Sequence, residues 1–118
     1  MGRREHINER RRFPRLPITL PVEGRWWDPD GRERPMAALL TLLSEGGATL
    51  RTSEPVTANM TVEFALRLGV LRNVQPRGTV RWWRRAGEIR ELGVEFAEPA
   101  RRIGVYVEKQ LSDSGAGV

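Results

Sequence analysis

The sequence predicts a mainly β protein: a small antiparallel β-barrel of about six strands, followed by a C-terminal α-helix. Three observations carry this expectation. Apolar and polar residues alternate with a period of two through most of residues 18–97, as half-buried strands require. Short turn-forming clusters separate those runs, the pattern of strands joined by hairpins. Only the segment behind Pro99 changes to helical spacing. A length of 118 residues suits one domain with one core.

The elements follow in order. Residues 1–15 carry almost no apolar periodicity and read as an N-terminal arm. The barrel with its helix is expected over residues 16–112, and residues 113–118 read as a flexible tail. Ile18–Trp27 alternates cleanly and forms the first strand. Asp28-Pro29-Asp30-Gly31 is a turn, each residue type favouring one for its own reason. Glu33–Leu43 is a second strand, its Leu39–Leu43 stretch too short for a helix and bounded by Pro35 and the Ser44-Glu45-Gly46-Gly47 turn, and Gly47–Thr52 is a third. Ser53–Met60 is a loop. Thr61–Leu68 directs Val62, Phe64, Leu66 and Leu68 to one face. Asn73–Trp83 resumes strand character, Arg84–Gly87 turns, and Glu88–Ala97 is the last strand. Its apolar register shifts between Ile89 and Leu92, which predicts a bulge near Glu91. Pro99 suits a first helical turn. Ile103, Tyr106, Val107 and Leu111 then recur at helical spacing, with the helix ending before Ser112. Closing the sheet into a barrel removes exposed edges, and the helix is placed to cap one open end.

Composition narrows the function. The absence of Cys excludes a disulfide scaffold, a Cys-based zinc site and a thiol nucleophile. The single His, His6, lies in the arm and reads as a solvated side chain, since no spacing supplies the orienting carboxylate of a triad. No catalytic residue, metal site or cofactor is assigned, and the chain is read as a non-enzyme. No apolar run approaches the roughly 20 residues that span a bilayer, and the arm lacks the apolar core of a secretory signal. A cytoplasmic location without membrane insertion is expected.

The net charge of +5 is unevenly placed. Residues 1–15 hold six Arg against Glu5 and Glu9, a net of +4, and residues 16–118 hold 14 basic against 13 acidic groups, a net of +1. Of the 20 basic residues only Lys109 is not Arg. Arg presents a planar fork of donors and a stacking face, suited to phosphate and guanine. A GC-rich coding preference accounts equally well for the overall bias, but not for its clustering. The near-neutral body offers no extended basic track, so nucleic acid is disfavoured as a partner. Trp26-Trp27 and Trp82-Trp83 are consecutive pairs, so in each strand one ring is expected to face in and one out.

Arg10 and Arg11 followed by Arg15 form an RRxxxR pattern at the start of the first strand. About 30 residues later comes Leu42-Leu43-Ser44-Glu45-Gly46-Gly47-Ala48, and a later strand carries Leu92-Gly93-Val94-Glu95-Phe96. Over residues 9–112 this combination resembles the PilZ domain family, bacterial modules that sense the second messenger cyclic di-GMP. The family pattern is RxxxR, then Asp or Asn-x-Ser-x-x-Gly, within a β-barrel followed by a helix. The first motif is intact and the second matches at Ser44 and Gly47. Leu42 stands where Asp or Asn is expected. The lost acceptor leaves a guanine donor to water; an unsatisfied donor costs about 1–3 kcal/mol, or roughly one to two decades of affinity.

The resemblance implies a cyclic di-GMP site made by Arg10, Arg11, Arg15, Ser44, Gly46 and Gly47. The arginines would hold phosphates and guanines, the Ser44 hydroxyl would donate to a phosphate or guanine, and the glycines would admit the ligand close to the backbone. An arm ordered by the ligand would be the switch. Since no output domain is evident, the signal is expected to pass to an unidentified protein partner, and a homodimer is compatible with the sequence. Leu42 also favours a second reading: a degenerate adaptor for motility or pili that has ceased to bind nucleotide.

Overall fold

The computed structural model describes residues 13–69 and 71–115. Arg10, Arg11 and His6 lie outside them. Among the described residues, eight strands and one helix follow in order: β1 (Arg15–Trp27), β2 (Glu33–Ser44), β3 (Gly47–Thr52), β4 (Thr61–Phe64), β5 (Leu66–Leu68), β6 (Leu71–Val74), β7 (Arg77–Ala86), β8 (Ile89–Phe96) and α1 (Arg101–Gly115). Six strands close an antiparallel barrel in the order β1-β2-β3-β8-β7-β4, while β5 and β6 form a separate two-stranded sheet. The mainly β, six-stranded barrel with one C-terminal helix is therefore as the alternation predicted.

The inward residues are the apolar halves of the alternating runs. Val22, Trp26, Leu40, Leu43, Leu50, Val62, Phe64, Val80, Leu92, Val94 and Phe96 are buried. Phe64 and Phe96 meet at 6.3 Å between centroids with tilted rings, a favourable geometry for their quadrupoles. The helix contributes Ile103 and Val107 to the same core and packs against β1, β2 and β6. Among the described residues the one buried polar side chain, Thr52, donates its hydroxyl to the Ala37 carbonyl at 2.9 Å. Asp28 organises its predicted turn: its carboxylate accepts from the Asp30 and Arg32 N–H groups, both at 2.9 Å. The Arg32 N–H bond leads in holding the Asp28 carboxyl below its usual range, with Arg34 and Asp30 adding to it against a smaller effect of burial.

Several local expectations are corrected. The run Thr61–Leu68 breaks at Ala65, whose N–H leaves the strand to donate to the Glu23 carbonyl at 3.0 Å. The run Asn73–Trp83 breaks before Arg77, because Pro76 has no N–H to continue a ladder. The turn expected at Arg84–Gly87 moves on: β7 continues through Ala86, and Gly87 takes the reversal at φ 69°. Arg15, assigned to the arm, is the first residue of β1 and pairs with Ser44. Pro99 precedes the helix instead of opening it; the Ala100 carbonyl accepts the Gly104 N–H at 3.0 Å. At its far end α1 continues through Gly115. Ser and Asp each disfavour helix by only fractions of about 1 kcal/mol, so they need not stop it.

The bulge is also elsewhere. β8 pairs with β3 in unbroken register from Gly47↔Glu95 to Thr52↔Arg90. The irregularity lies on β7, between Val80 and Trp82. Ile89 simply faces solvent. Trp26 is buried and Trp27 half-buried, as alternation requires, but Trp82 and Trp83 are both exposed. The extra residue, Arg81, breaks the alternation in front of them.

Candidate functional site

Strand register determines what gathers on the outside of the barrel. Because Leu50, Leu92, Val94 and Val80 point inward, the residues between them on β3 and β8 point outward. Leu42 pairs with Thr49, Thr49 with Gly93, and Gly93 with Trp82. These four form one row across β2, β3, β8 and β7, spanning about 14 Å at the usual strand spacing. A neighbouring row includes Gly47, Glu95 and Thr79. On this surface lies a cleft of about 560 Å³, bordered by Phe13 and Arg15 at the chain entrance, by Ser44, Gly46 and Gly47 at the β2–β3 turn, and by Arg81 and Trp82 on β7. Its size is that of small-molecule sites.

Four of the six expected site residues, Arg15, Ser44, Gly46 and Gly47, border this cleft, as does Leu42. Arg10 and Arg11 fall outside the described residues. Arg15 is exposed. The β2–β3 turn is built by Ser44: its Oγ accepts the N–H groups of Gly46 at 3.2 Å and Gly47 at 3.1 Å, and donates to the Gly47 carbonyl at 3.3 Å.

The glycines have separate reasons. A Cβ on Gly47 would run into the Val94 carbonyl of β8, so glycine sets the spacing between β3 and β8. A Cβ on Gly46 would come within 2.8 Å of the Phe13 ring, which places Phe13 directly over the turn. The Gly46 carbonyl accepts the Phe96 N–H at 2.9 Å, and that of Glu45 accepts the Ala100 N–H at 2.8 Å. The turn is thus tied to both β8 and the start of α1.

Sequence reasoning did not assign Phe13, Thr49, Arg81, Trp82 or Glu95 to the site. Arg81 and Trp82 border the cleft together because the bulge places consecutive residues on one face. The Arg81 Nε is 2.6 Å from Glu95 Oε1. Arg15, Arg81 and Glu95 therefore sum to +1 at the cleft. One signal was available: a glycine inside a strand, Gly93 in β8, marks a close approach, and the approaching group is Trp82. Among the described residues no group of three His, Cys, Asp or Glu side chains could hold a metal, and no helix is long and apolar enough to cross a membrane.

The PilZ domain family model matches residues 9–113. Among solved structures, the PilZ domain of YcgR from Escherichia coli with cyclic di-GMP is 16% identical, with a TM-score of 0.61, covering 92% of this chain and 99% of that one. The inhibitor of motility MotI/DgrA from Bacillus subtilis is 15% identical with a TM-score of 0.66 over 87% of this chain. This chain spans about half, 52%, of that structure. No curated protein matches the sequence significantly.

Proposed function

The chain belongs to the PilZ domain family, and from that premise we propose that it is a cyclic di-GMP receptor that signals to a protein partner. The observation that supports this most is the convergence of Arg15, Ser44, Gly46 and Gly47 on one cleft of about 560 Å³. Arg15 pairs a phosphate or forks onto guanine O6 and N7. Ser44 acts through the turn, holding Gly46 and Gly47 where the ligand meets the backbone. Arg10 and Arg11 precede Phe13 by three and two residues, and at about 3.3–3.6 Å per residue their backbone is within reach of the rim. They supply the remaining cationic groups, and the arm changes conformation as it closes on the ligand. The partner then reads the rearranged arm; the motility inhibitor among the structural neighbours makes a component of the motility apparatus our choice of partner.

Calorimetry of the whole chain with cyclic di-GMP tests this. The expected result is micromolar binding, lost on combining Arg11→Ala with Arg15→Ala. A micromolar constant represents about −8.2 kcal/mol, and no heat at tens of micromolar ligand would overturn the receptor reading.

Leu42 in the cleft wall supports a second reading, an adaptor that acts by protein contacts without nucleotide. Leu42→Asp separates the two. A tenfold or larger gain in affinity identifies a competent pocket lacking one acceptor; a variant that still gives no heat identifies the adaptor.

A further inference from the structure

Closing the barrel does not remove every sheet edge. Traced back from β4, the chain bonds to β7 last at Val80. The Val80 N–H donates to the Met60 carbonyl at 2.9 Å, and its carbonyl accepts the Asn59 N–H at 2.7 Å. Asn59 sits at φ 73°, a left-handed conformation that Asn tolerates, and the chain parts from β7 there. β7 itself runs on through Ala86, and among the described residues its one strand partner beyond Val80 is β8. Ala86 and Ile89 close a two-residue hairpin at Gly87 and are a hydrogen-bonded pair; such pairs alternate along the ladder. Arg84 therefore also bonds to β8, whereas Trp83 and Arg85 aim their N–H and C=O groups outward. Among the described residues no backbone group pairs with them.

The side chains along this edge are unevenly neutralised. Arg81 is held by Glu95 at 2.6 Å and Arg84 by Glu91 at 2.7 Å. Arg85 is exposed, and among the described residues no carboxylate pairs with it. With Ser53 and Ile89 it borders a hollow of about 160 Å³. Trp83, two residues back, is 36% exposed and has Arg90 over its ring at 4.2 Å.

We infer that the Trp83–Arg85 edge of β7 accepts an extended acidic segment of a partner protein as an added strand. Ladder bonds to the two outward residues supply affinity, and alternate side chains supply selection. A carboxylate opposite Arg85 meets its unpaired charge, and an apolar residue two positions away lies opposite Trp83. A second copy of this chain fits worse. Two-fold pairing centred on Trp83, Arg84 or Arg85 sets Arg85 against Arg81, Arg84 against Arg84, or Arg85 against Arg85. Like charges directly opposite are destabilising, so Arg85 blunts the edge toward its own kind and leaves it open to the opposite sign. The segment before Phe13 is rich in Arg and carries the same sign as the edge. The inference does not depend on what the cleft binds.

The test titrates the isotope-labelled whole chain with the blocked peptide Thr-Val-Thr-Glu-Thr-Val-Thr, following amide shifts and hydrogen exchange. Its Glu has a Val two positions away on either side, so both strand directions are served. Saturable shifts of the Trp83 and Arg85 amides, with slower exchange at both, are expected at millimolar peptide. Replacing the Glu by Lys should weaken binding about fivefold or more, and Arg85→Glu should reverse that preference. Arg85→Pro removes the outward N–H, which an edge strand tolerates, and should lose the saturable shifts. Wild-type β8 amide shifts in both variants exclude a disrupted hairpin. Arg67→Glu, on β5, should leave binding unchanged. Peptide shifts confined to other residues, or equal binding of the Glu and Lys peptides, overturn the inference. So does slow exchange of Trp83 and Arg85 in the free chain: independent of concentration, it assigns the edge to the chain itself; rising with concentration, to a second copy. Cyclic di-GMP is absent throughout, so the receptor reading stands or falls separately.

Discussion

Glu63 joins three strands of the barrel wall, and Glu63→Gln measures what that junction contributes. Its Oε1 accepts from Arg25 Nε at 2.9 Å and Nη2 at 2.6 Å, and its Oε2 accepts from Arg77 Nε at 3.2 Å. Arg25 also reaches Glu33 at 3.1 Å. The Glu63 side chain is only 14% exposed, while Arg25 and Arg77 are 40% and 53% exposed. Gln keeps the shape and one acceptor, but removes the charge and turns an N–H₂ toward a guanidinium. Two half-exposed pairs at about 0.2–1 kcal/mol each, plus the donor–donor conflict, give a loss of about 1–2 kcal/mol. In a domain of this size that lowers Tm by roughly 4–15 °C.

The acid dependence gives a second measure. Burial raises the Glu63 pKa, but the Arg25 hydrogen bond and the Arg25 and Arg77 charges outweigh it, and the carboxyl sits below its usual range. A depressed folded value means that the stabilisation is complete above the unfolded pKa and is lost as pH falls through the folded one. Thermal melts of both proteins should therefore differ fully near neutrality and converge below about pH 4. Equal melting points at neutral pH, or a gap that persists undiminished in acid, would refute the account.

Two further outcomes concern the turn that borders the cleft. Ser44→Ala removes the acceptor of the Gly46 and Gly47 N–H groups, and chemical denaturation should register a loss of about 1–3 kcal/mol; its effect on ligand affinity should follow turn order instead of a lost direct contact. Gly47→Ala drives a Cβ into the Val94 carbonyl, and the same assay should show a loss of about 1–3 kcal/mol as β3 and β8 separate. An unchanged midpoint for either variant removes the corresponding argument.

Much of the fold was legible because a strand's own residues carry its inward face: the alternation in Ile18–Trp27 and the turn at Asp28 needed no knowledge of neighbours. Where pairing decides, the reading failed. The change of phase between Ile89 and Leu92 was visible in β8, but β8 is regular and the extra residue is Arg81 on its partner. Periodicity describes one strand, whereas a bulge belongs to two. The same gap concealed half the cleft. Ser44, Gly46 and Gly47 lie together in sequence, while Trp82 and Gly93 meet only through register. Ser44 illustrates a subtler limit: its position at the cleft was legible, but the backbone N–H groups that occupy its hydroxyl depend on how the turn closes.

The strand order also governs when the site comes into being. β8 is the final strand in the chain and joins β3 to β7. Until residues 89–96 have been synthesised, those two neighbours present bare ladders to solvent, the condition in which nascent β chains pair wrongly. Gly93 and Glu95, which floor the cleft, arrive on that same strand. Any ligand affinity therefore begins only once the ring is shut, and the non-local pairing that shuts it is the kind that folds slowly, in milliseconds to seconds. A bound second messenger would be proof of a finished barrel as well as a signal.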